Sequence, residues 1–150
     1  MFTVTKQFDF AASHFLTKYH GKCERLHGHN YVLEVSVTGP LSENGMVLDF
    51  VLLKQLVKDV VLDQVDHQHL NDLLENPTTE HLAAWIWDQL SPLTDKLQKY
   101  NDHGNIPAQI KALQDGTGQT QIETGTNVQL SQITLWETPT SKVEYTGPDQ

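Results

Sequence analysis

β-Strand patterns occupy both ends of the chain and helical patterns lie between them, and this order most constrains the fold. Residues 3–12 are rich in β-forming side chains, and residues 29–38 contain three valines among further apolar positions. Towards the other end, residues 126–137 alternate between apolar and polar side chains. Residues 142–146 form a fourth short segment that could pair with them. The pattern therefore predicts two strands on each side of a helical middle.

Two segments in the middle carry apolar residues at helical spacing. Asp49 is a favourable N-cap, and residues 50–62 behind it repeat apolar side chains about one turn apart. Residues 76–80, Asn-Pro-Thr-Thr-Glu, indicate a second helix start, whose apolar face continues to Leu93. Pro92 predicts a kink or an end there. The order β-β-α-α-β-β predicts an α+β fold.

Residues 100–125 differ from the rest of the chain. They are polar, contain four glycines and carry one short helical pattern, Ala108 to Leu113. A loop of this length is unusual inside a compact domain, so we interpret it as an insertion or a lid. The sequence shows no repeat and no domain boundary, which predicts a single domain over residues 1–150.

The charge balance restricts the partners. Ten basic residues against 19 acidic ones give a net charge of −9. This argues against broad binding to nucleic acid or to anionic membranes, but it does not exclude an anionic small substrate, because a local basic patch could bind one. Lys18, Lys22 and Arg25 nevertheless cluster within eight residues. They form either a solvated loop or a phosphate-binding patch, and the sequence leaves both open.

Cys23 is the single cysteine, so no intramolecular disulfide can form, which fits a reducing compartment. Residues 1–10 lack the charged and apolar regions of a signal peptide. No stretch approaches the roughly 18 apolar residues that a membrane span needs. We expect a cytoplasmic protein.

The strongest chemical signal is the segment from Cys23 to His29. His27 and His29 are two residues apart, so on a strand their side chains point to the same face. Neutral imidazole suits Zn²⁺, and three protein ligands with one open position are typical of a catalytic site. His14, at the end of the first strand, is the best placed third ligand. The alternative is two surface histidines on a half-exposed strand.

Cys23 precedes His27 by four residues and has polar neighbours. We interpret it as a reactive thiol, because a fourth protein ligand would close the metal site. Nearby positive charge would favour its thiolate. The alternative is a small buried residue, the commonest role of a free cysteine.

Other polar residues have weaker contexts. Asp66 and His67 could form a proton-relay pair, in which the carboxylate fixes the tautomer of the imidazole, if a turn lets them face each other. Glu137 ends a strand, where an unpaired buried carboxylate would be costly, and Glu80 lies in the first turn of a helix. One or both could bind an amidine-like ligand edge, although Glu80 could equally serve only as a helix cap. The remaining histidines are interpreted as surface or structural residues: His20, His69, His81 and His103.

Taken together, the motifs resemble the 6-pyruvoyl-tetrahydropterin synthase superfamily over nearly the whole chain apart from residues 100–125. The motifs are Phe10-Ala11-Ala12-Ser13-His14, Gly21-Lys22-Cys23, His27-Gly28-His29-Asn30-Tyr31, Gly45-Met46-Val47-Leu48-Asp49-Phe50, Asp66-His67, Leu70-Asn71, Asn76-Pro77-Thr78-Thr79-Glu80 and Trp136-Glu137-Thr138.

The spacing within the first motifs separates branches of that superfamily. Three residues between Cys23 and His27 are similar to the bacterial 6-carboxy-tetrahydropterin synthase branch, whereas the tetrahydrobiopterin branch places more residues there. Glu24 follows the cysteine, but Leu26 precedes His27. This departs from the cysteine-plus-glutamate pattern of dual-function members related to the branch that makes a folate precursor.

The resemblance implies a tunnelling fold, with an antiparallel sheet, two helices on one face, and subunits that assemble their strands into a barrel. It implies a homohexamer of two trimers with active sites at subunit interfaces. It also implies residue roles. His14, His27 and His29 would bind zinc. Cys23 would remove a proton, assisted by the Asp66–His67 dyad, and Glu137 would bind the pterin with help from Glu80.

The implied reaction converts 7,8-dihydroneopterin triphosphate to 6-carboxy-tetrahydropterin, with loss of acetaldehyde and triphosphate, on a route to 7-deazaguanine compounds such as queuosine. Two alternatives remain open. One is a 6-pyruvoyl-tetrahydropterin synthase, which keeps the carbon chain. The other is a non-catalytic zinc- or pterin-binding protein with the same fold.

Overall fold

Five strands form one sheet in the computed structural model, which describes residues 1–102 and 127–149. The strands are β1 (Phe2–His14), β2 (His27–Gly39), β3 (Gln68–His69), β4 (Gln129–Thr138) and β5 (Ser141–Tyr145). Their spatial order is β3-β1-β2-β4-β5. Every pairing is antiparallel except that of the two-residue β3, which runs parallel to β1.

The helices are α1 (Phe50–Val57), α2 (Asp63–Val65), α3 (Thr79–Leu90) and α4 (Leu93–Asp102). A π-helical turn, Lys58–Leu62, joins α1 to α2, and two single 3₁₀ turns occupy Lys22–Glu24 and Leu70–Asp72. As predicted, Asp49 caps α1, because its side chain accepts a hydrogen bond from the backbone N–H of Val51 at 2.8 Å.

Alternation along the two long strands places the core on one face of the sheet. Even-numbered residues of β1, such as Phe8 and Phe10, lie opposite odd-numbered residues of β2, such as Leu33 and Tyr31. These side chains are buried and contact the apolar faces of the helices. Because the side-chain period of a strand is two, His14, His27 and His29 must lie on this same face.

The α+β class is confirmed, and several details differ from the sequence prediction. The helix predicted over residues 50–62 is α-helical to Val57 and continues as the π-helical turn. The first two strands extend further than residues 3–12 and 29–38. Leu93 does not continue the apolar face of α3 but begins α4, because α3 ends at Leu90 before the Ser91-Pro92 bond. The short β3 carried no periodic signal and was not predicted.

Another difference concerns the predicted insertion at residues 100–125. Helix α4 runs to Asp102, so it includes the first three of these residues. Residues 103–125, with the predicted helix from Ala108 to Leu113, lie outside the described residues. Within residues 1–102 and 127–149, no helix combines the length and the apolar content that crossing a membrane requires.

Candidate functional site

Three imidazoles converge where β1 ends and β2 begins. His14 lies directly opposite His27 in the antiparallel register, and His29 follows two residues later on the same face. One ring nitrogen from each of the three lies within 4.8 Å of the others. His14 is 1% exposed, and the side chain of His29 is 18% exposed. The cluster has the donor set and the spacing to hold a metal ion.

Hydrogen bonds to backbone carbonyls set the tautomers of two of these rings. Nδ1 of His14 donates to the carbonyl of Pro77 at 2.8 Å, and Nδ1 of His27 donates to the carbonyl of Arg25 at 2.7 Å. A carbonyl only accepts, so in each neutral ring Nε2 is left with a lone pair. Carbonyl partners of this kind are typical of metal-binding histidines.

The two Nε2 atoms face each other at 3.0 Å, and Nε2 of His29 is buried without a hydrogen-bond partner. Burial lowers the pKa of His14 below its ordinary value of 6.5, and the positive charges of His27 and His29 lower it further. The hydrogen bond to the Pro77 carbonyl and the negative charge of Glu137 act in the opposite direction. Burial likewise lowers the pKa of His29, against the opposing effect of Glu137. Lone pairs directed at one point in a buried site repel unless a cation lies among them, so the residues present fit a divalent metal.

Glu137 lies beside this cluster at the end of β4. Its Oε1 is 3.7 Å from Nε2 of His29, too long for a hydrogen bond. Its Oε2 accepts a hydrogen bond from the hydroxyl of Thr79 at 2.6 Å. The Glu137 side chain is 30% exposed. It therefore presents a partly buried carboxylate that can still reach a ligand.

A cavity of about 270 Å³ borders Glu137. Glu80, from the first turn of α3, lines the same cavity, as do Leu16, Ser141 and Lys142. Two carboxylates from elements far apart in sequence thus share one recess next to the histidine cluster. Carboxylates in a recess are suited to a ligand edge that carries several N–H donors.

The N-terminus of α3 fixes this part of the site through three consecutive residues. The carbonyl of Pro77 accepts from His14, and the hydroxyl of Thr78 caps the helix by accepting from the backbone N–H of His81. Thr79 donates to Glu137. One short backbone segment therefore contacts both the histidine cluster and the carboxylate.

Cys23 lies in the 3₁₀ turn that precedes β2, and its thiol is partly exposed. The backbone carbonyl of Cys23 accepts a hydrogen bond from the backbone N–H of Leu16 at 2.8 Å. Because Leu16 lines the cavity beside Glu137, this bond holds the 3₁₀ turn next to that cavity. The thiol is not part of the three-histidine cluster. Cys23 therefore does not occupy the buried apolar position that was the alternative interpretation.

Asp66 and His67 face each other through a turn, as their pairing requires. Asp66 is extended after α2, and His67 has a positive φ of 57°. Nδ1 of His67 donates to Oδ1 of Asp66 at 2.9 Å, and that oxygen also accepts from the backbone N–H of Ala11 at 3.1 Å. The His67 side chain is 81% exposed.

The dyad lies beside β1, just before β3, and the backbone N–H of His67 donates to the carbonyl of Ala11. His67 lines a second cavity of about 590 Å³, which Ser13, Gly28, His29 and His69 also border. Within the described ranges, no hydrogen bond or ion pair connects the dyad with Cys23 or with the three-histidine cluster. One subunit therefore brings the histidines, Glu137 and Glu80 together, and the dyad is related to them only through the cavity that His67 shares with His29.

The remaining histidines have ordinary contacts. His20 is 98% exposed in its side chain, and Nδ1 of His81 donates to the carbonyl of Asn76 near the start of α3. His69 stacks on Phe15, and its Nδ1 lies 3.1 Å from the Ser13 hydroxyl. His103 lies outside the described residues. The three basic side chains near Cys23 are all exposed, and both interpretations of that patch remain open.

Comparison with known proteins identifies the family. Residues 3–104 match the sequence profile of the family described as 6-pyruvoyl tetrahydropterin synthase. The chain belongs to the 6-pyruvoyl tetrahydropterin synthase family. Because its relatives are named as enzymes that process pterins, the chain is an enzyme with a small-molecule pterin substrate.

Individual relatives are named for more than one activity. The chain is 36% identical to a 6-carboxy-5,6,7,8-tetrahydropterin synthase of Haemophilus influenzae, over 97% of this chain and 99% of that protein. It is 48% identical to a 6-pyruvoyl tetrahydrobiopterin synthase of Dictyostelium discoideum, over 50% of this chain and 60% of that protein. The 6-pyruvoyl tetrahydropterin synthase of Caenorhabditis elegans has a similar structure, with a TM-score of 0.66 and 25% identity over 98% of this chain and 96% of that chain.

Sequence reasoning missed two contributors to the site. The carbonyl of Pro77 and the hydroxyl of Thr79 lie in a segment that was interpreted only as a helix start. The available signal was the pair of adjacent threonines, because one hydroxyl is enough to cap a helix and the second is free for another partner.

Proposed function

We propose that the chain is a zinc-dependent 6-carboxy-tetrahydropterin synthase. It would convert 7,8-dihydroneopterin triphosphate to 6-carboxy-5,6,7,8-tetrahydropterin, with release of acetaldehyde and triphosphate. The observation that carries the proposal is the convergence of three histidine nitrogens beside the Glu137 carboxylate. The Haemophilus influenzae relative, which matches over nearly its whole length, supports this branch, as does the spacing between Cys23 and His27.

His14, His27 and His29 would hold the zinc ion through Nε2. A neutral histidine set without a fourth protein ligand is typical of catalytic zinc, which keeps a position open for substrate. Bound zinc would supply Lewis-acid stabilisation of negative charge on oxygens of the substrate side chain. The carbonyls of Pro77 and Arg25 keep two of these rings in the required tautomer.

Glu137 would bind the amino-pyrimidine edge of the pterin, with Glu80 assisting from the same cavity. Two parallel N–H groups of that edge match the two oxygens of one carboxylate. The recess that would hold the ring lies beside the histidine cluster, because Oε1 of Glu137 is 3.7 Å from Nε2 of His29.

Cys23 would remove a proton from the substrate side chain, after which triphosphate leaves and a carbon–carbon bond breaks. Asp66 would hold Nδ1 of His67 as a donor, which leaves Nε2 of the exposed ring to accept or return a proton. Within the described part of one chain, no hydrogen bond or ion pair joins the dyad to Cys23 or to the three histidines, although His67 and His29 line one cavity. We therefore infer that the dyad acts in an assembly, the homohexamer of two trimers with sites at subunit interfaces.

We place this activity in the cytoplasm, in the biosynthesis of queuosine and other 7-deazaguanines. A 6-pyruvoyl tetrahydropterin synthase is the second candidate, and the Dictyostelium discoideum relative favours it by higher identity over a shorter match. A non-catalytic zinc- or pterin-binding protein is the third candidate. The presence of a partly exposed thiol and a hydrogen-bonded dyad argues against mere binding.

The product distinguishes these candidates. Purified protein is incubated with 7,8-dihydroneopterin triphosphate, acetaldehyde is assayed, and the pterin is identified by mass. We expect acetaldehyde and 6-carboxy-tetrahydropterin in equal amounts. A pyruvoyl product without acetaldehyde would assign the chain to the second candidate, and no turnover by zinc-loaded protein would favour the third.

Replacing Glu137 with Gln should weaken pterin binding. The substitution keeps the size of the side chain but replaces a charged acceptor with a neutral amide, which loses charge-assisted bonds of about 1.5–3 kcal/mol. Calorimetric titration with neopterin measures the change in the dissociation constant. Glu144→Gln is the matched control, because Glu144 is exposed on β5 and does not line the cavity. An unchanged dissociation constant for Glu137→Gln would move the ring anchor elsewhere, with Glu80 the first residue to examine.

A further inference from the structure

The hydroxyl of Thr79 is not needed to cap the helix that it begins. Thr78 is the N-cap of α3, and its hydroxyl accepts from the backbone N–H of His81 at 3.1 Å. Thr79 follows as the first helical residue and is 9% exposed. Its hydroxyl hydrogen-bonds instead with a residue 58 positions away, Glu137. A nearly buried hydroxyl aimed at a carboxylate, rather than at its own helix, indicates a role in placing that carboxylate.

The direction of this bond is fixed by chemistry. A carboxylate only accepts, so Thr79 donates its proton to Oε2 of Glu137, at 2.6 Å. A β-branched side chain in a helix has few rotamers, so the donor itself is held in place. The bond therefore favours one orientation of the carboxylate and leaves Oε1, and the second lone pair of Oε2, free to bind a ligand.

Without this bond, Glu137 has a competing partner. Its Oε1 lies 3.7 Å from Nε2 of His29, the buried nitrogen that lacks a hydrogen-bond partner. Carboxylate oxygen is itself a good zinc ligand. A small rotation of the side chain would bring Glu137 towards the histidine cluster. There it would supply a fourth protein ligand and could no longer bind the pterin ring.

We propose that Thr79 is a positioning residue, whose hydroxyl holds Glu137 in the orientation that binds the pterin ring and away from the three histidines. This inference rests on the proposed function, because it assumes that Glu137 binds the ring and that the histidines bind zinc. Thr79 lines the cavity that would hold the ring, but its one hydroxyl proton is already donated to Glu137, and it is not among the three metal-binding residues. Its contribution passes entirely through Glu137.

The test compares Thr79→Val, which keeps the shape but removes the donor, with Thr79→Ser, which keeps the donor. We expect Thr79→Val to raise the neopterin dissociation constant and the KM about tenfold. This is the smaller end of the range of effects expected when a hydrogen bond to a charged group is lost. The kcat should change much less. Thr79→Ser should restore both values to within about threefold of wild type, a rescue that a purely steric role would not give.

A double-mutant cycle separates positioning from a general effect on the fold. In the Glu137→Gln background, Thr79→Val should add little to the loss of neopterin binding, because the group that it positions has already been disabled. Chelator competition supplies a second readout. Thr79→Val should retain zinc more tightly than wild type, and the added Glu137→Gln substitution should abolish the gain. If Thr79→Val does not fold, Thr79→Ala, which only removes atoms, takes its place.

The outcomes separate the inference from the function on which it rests. Neopterin binding by Thr79→Val equal to that of wild type would overturn the role of Thr79 alone. Additive losses in the double-mutant cycle, or zinc retention unchanged in Thr79→Val, would also overturn it. A wild-type protein that binds zinc but not neopterin would overturn the proposed function and this inference together.

Discussion

His27→Ala should leave the protein without most of its zinc after dialysis. Nε2 of His27 lies 3.0 Å from Nε2 of His14, so the substitution removes one of three converging donors and opens the cluster to water. Altering an outer partner of a metal ligand already costs roughly 10–100-fold in affinity, and removal of the ligand itself should cost more. Elemental analysis and a chelator titration measure the loss.

The matched control is His20→Ala. It makes the same chemical change at an imidazole whose side chain is 98% exposed and that takes no part in the cluster. It should retain zinc like the wild type. Full zinc retention in all three single variants, His14→Ala, His27→Ala and His29→Ala, would contradict the ligand assignment.

Cys23→Ala should retain zinc and bind neopterin but lose turnover. A general base contributes only along the path to the transition state, and its removal typically costs 10²–10⁴-fold in rate. We therefore expect the kcat for dihydroneopterin triphosphate to fall by roughly that factor, with the zinc content unchanged. Single-turnover kinetics measure the chemical step directly.

Cys23→Ser provides the comparison, since it nearly preserves the shape of the side chain while replacing the thiol with a far weaker acid. It should be as inactive as the alanine variant. A Cys23→Ala protein that lost its zinc would mean that Cys23 is a ligand, and the argument for an open metal position would then be wrong.

The histidine cluster could be predicted from the sequence because its geometry is local to one pair of strands. Residues two apart on a strand share a face, and adjacent antiparallel strands bring their ends together, so His14 opposite His27 follows from the pattern. Asp49 as the cap of α1 is equally local. These are cases in which a few neighbouring residues determine the result.

The contacts that complete the site are not local. The Pro77 carbonyl and His14 are 63 residues apart, and Thr79 and Glu137 are 58 apart. No periodic pattern links such positions, because their contact depends on how α3 packs against the sheet. The π-helical turn Lys58–Leu62 and the two-residue β3 escaped prediction for a related reason, since both are too short to produce a period of their own.

Residues 77–79 also limit where related chains can differ in length. Because this tripeptide contacts both His14 and Glu137, the spacing between the metal-binding nitrogens and the ring-binding carboxylate is set by one stretch of backbone with no room for an added residue. A change in the length of a surface loop should leave that spacing unchanged, provided that it shifts neither this tripeptide nor the strands that carry His14 and Glu137. Grafted segments should therefore be tolerated in such loops.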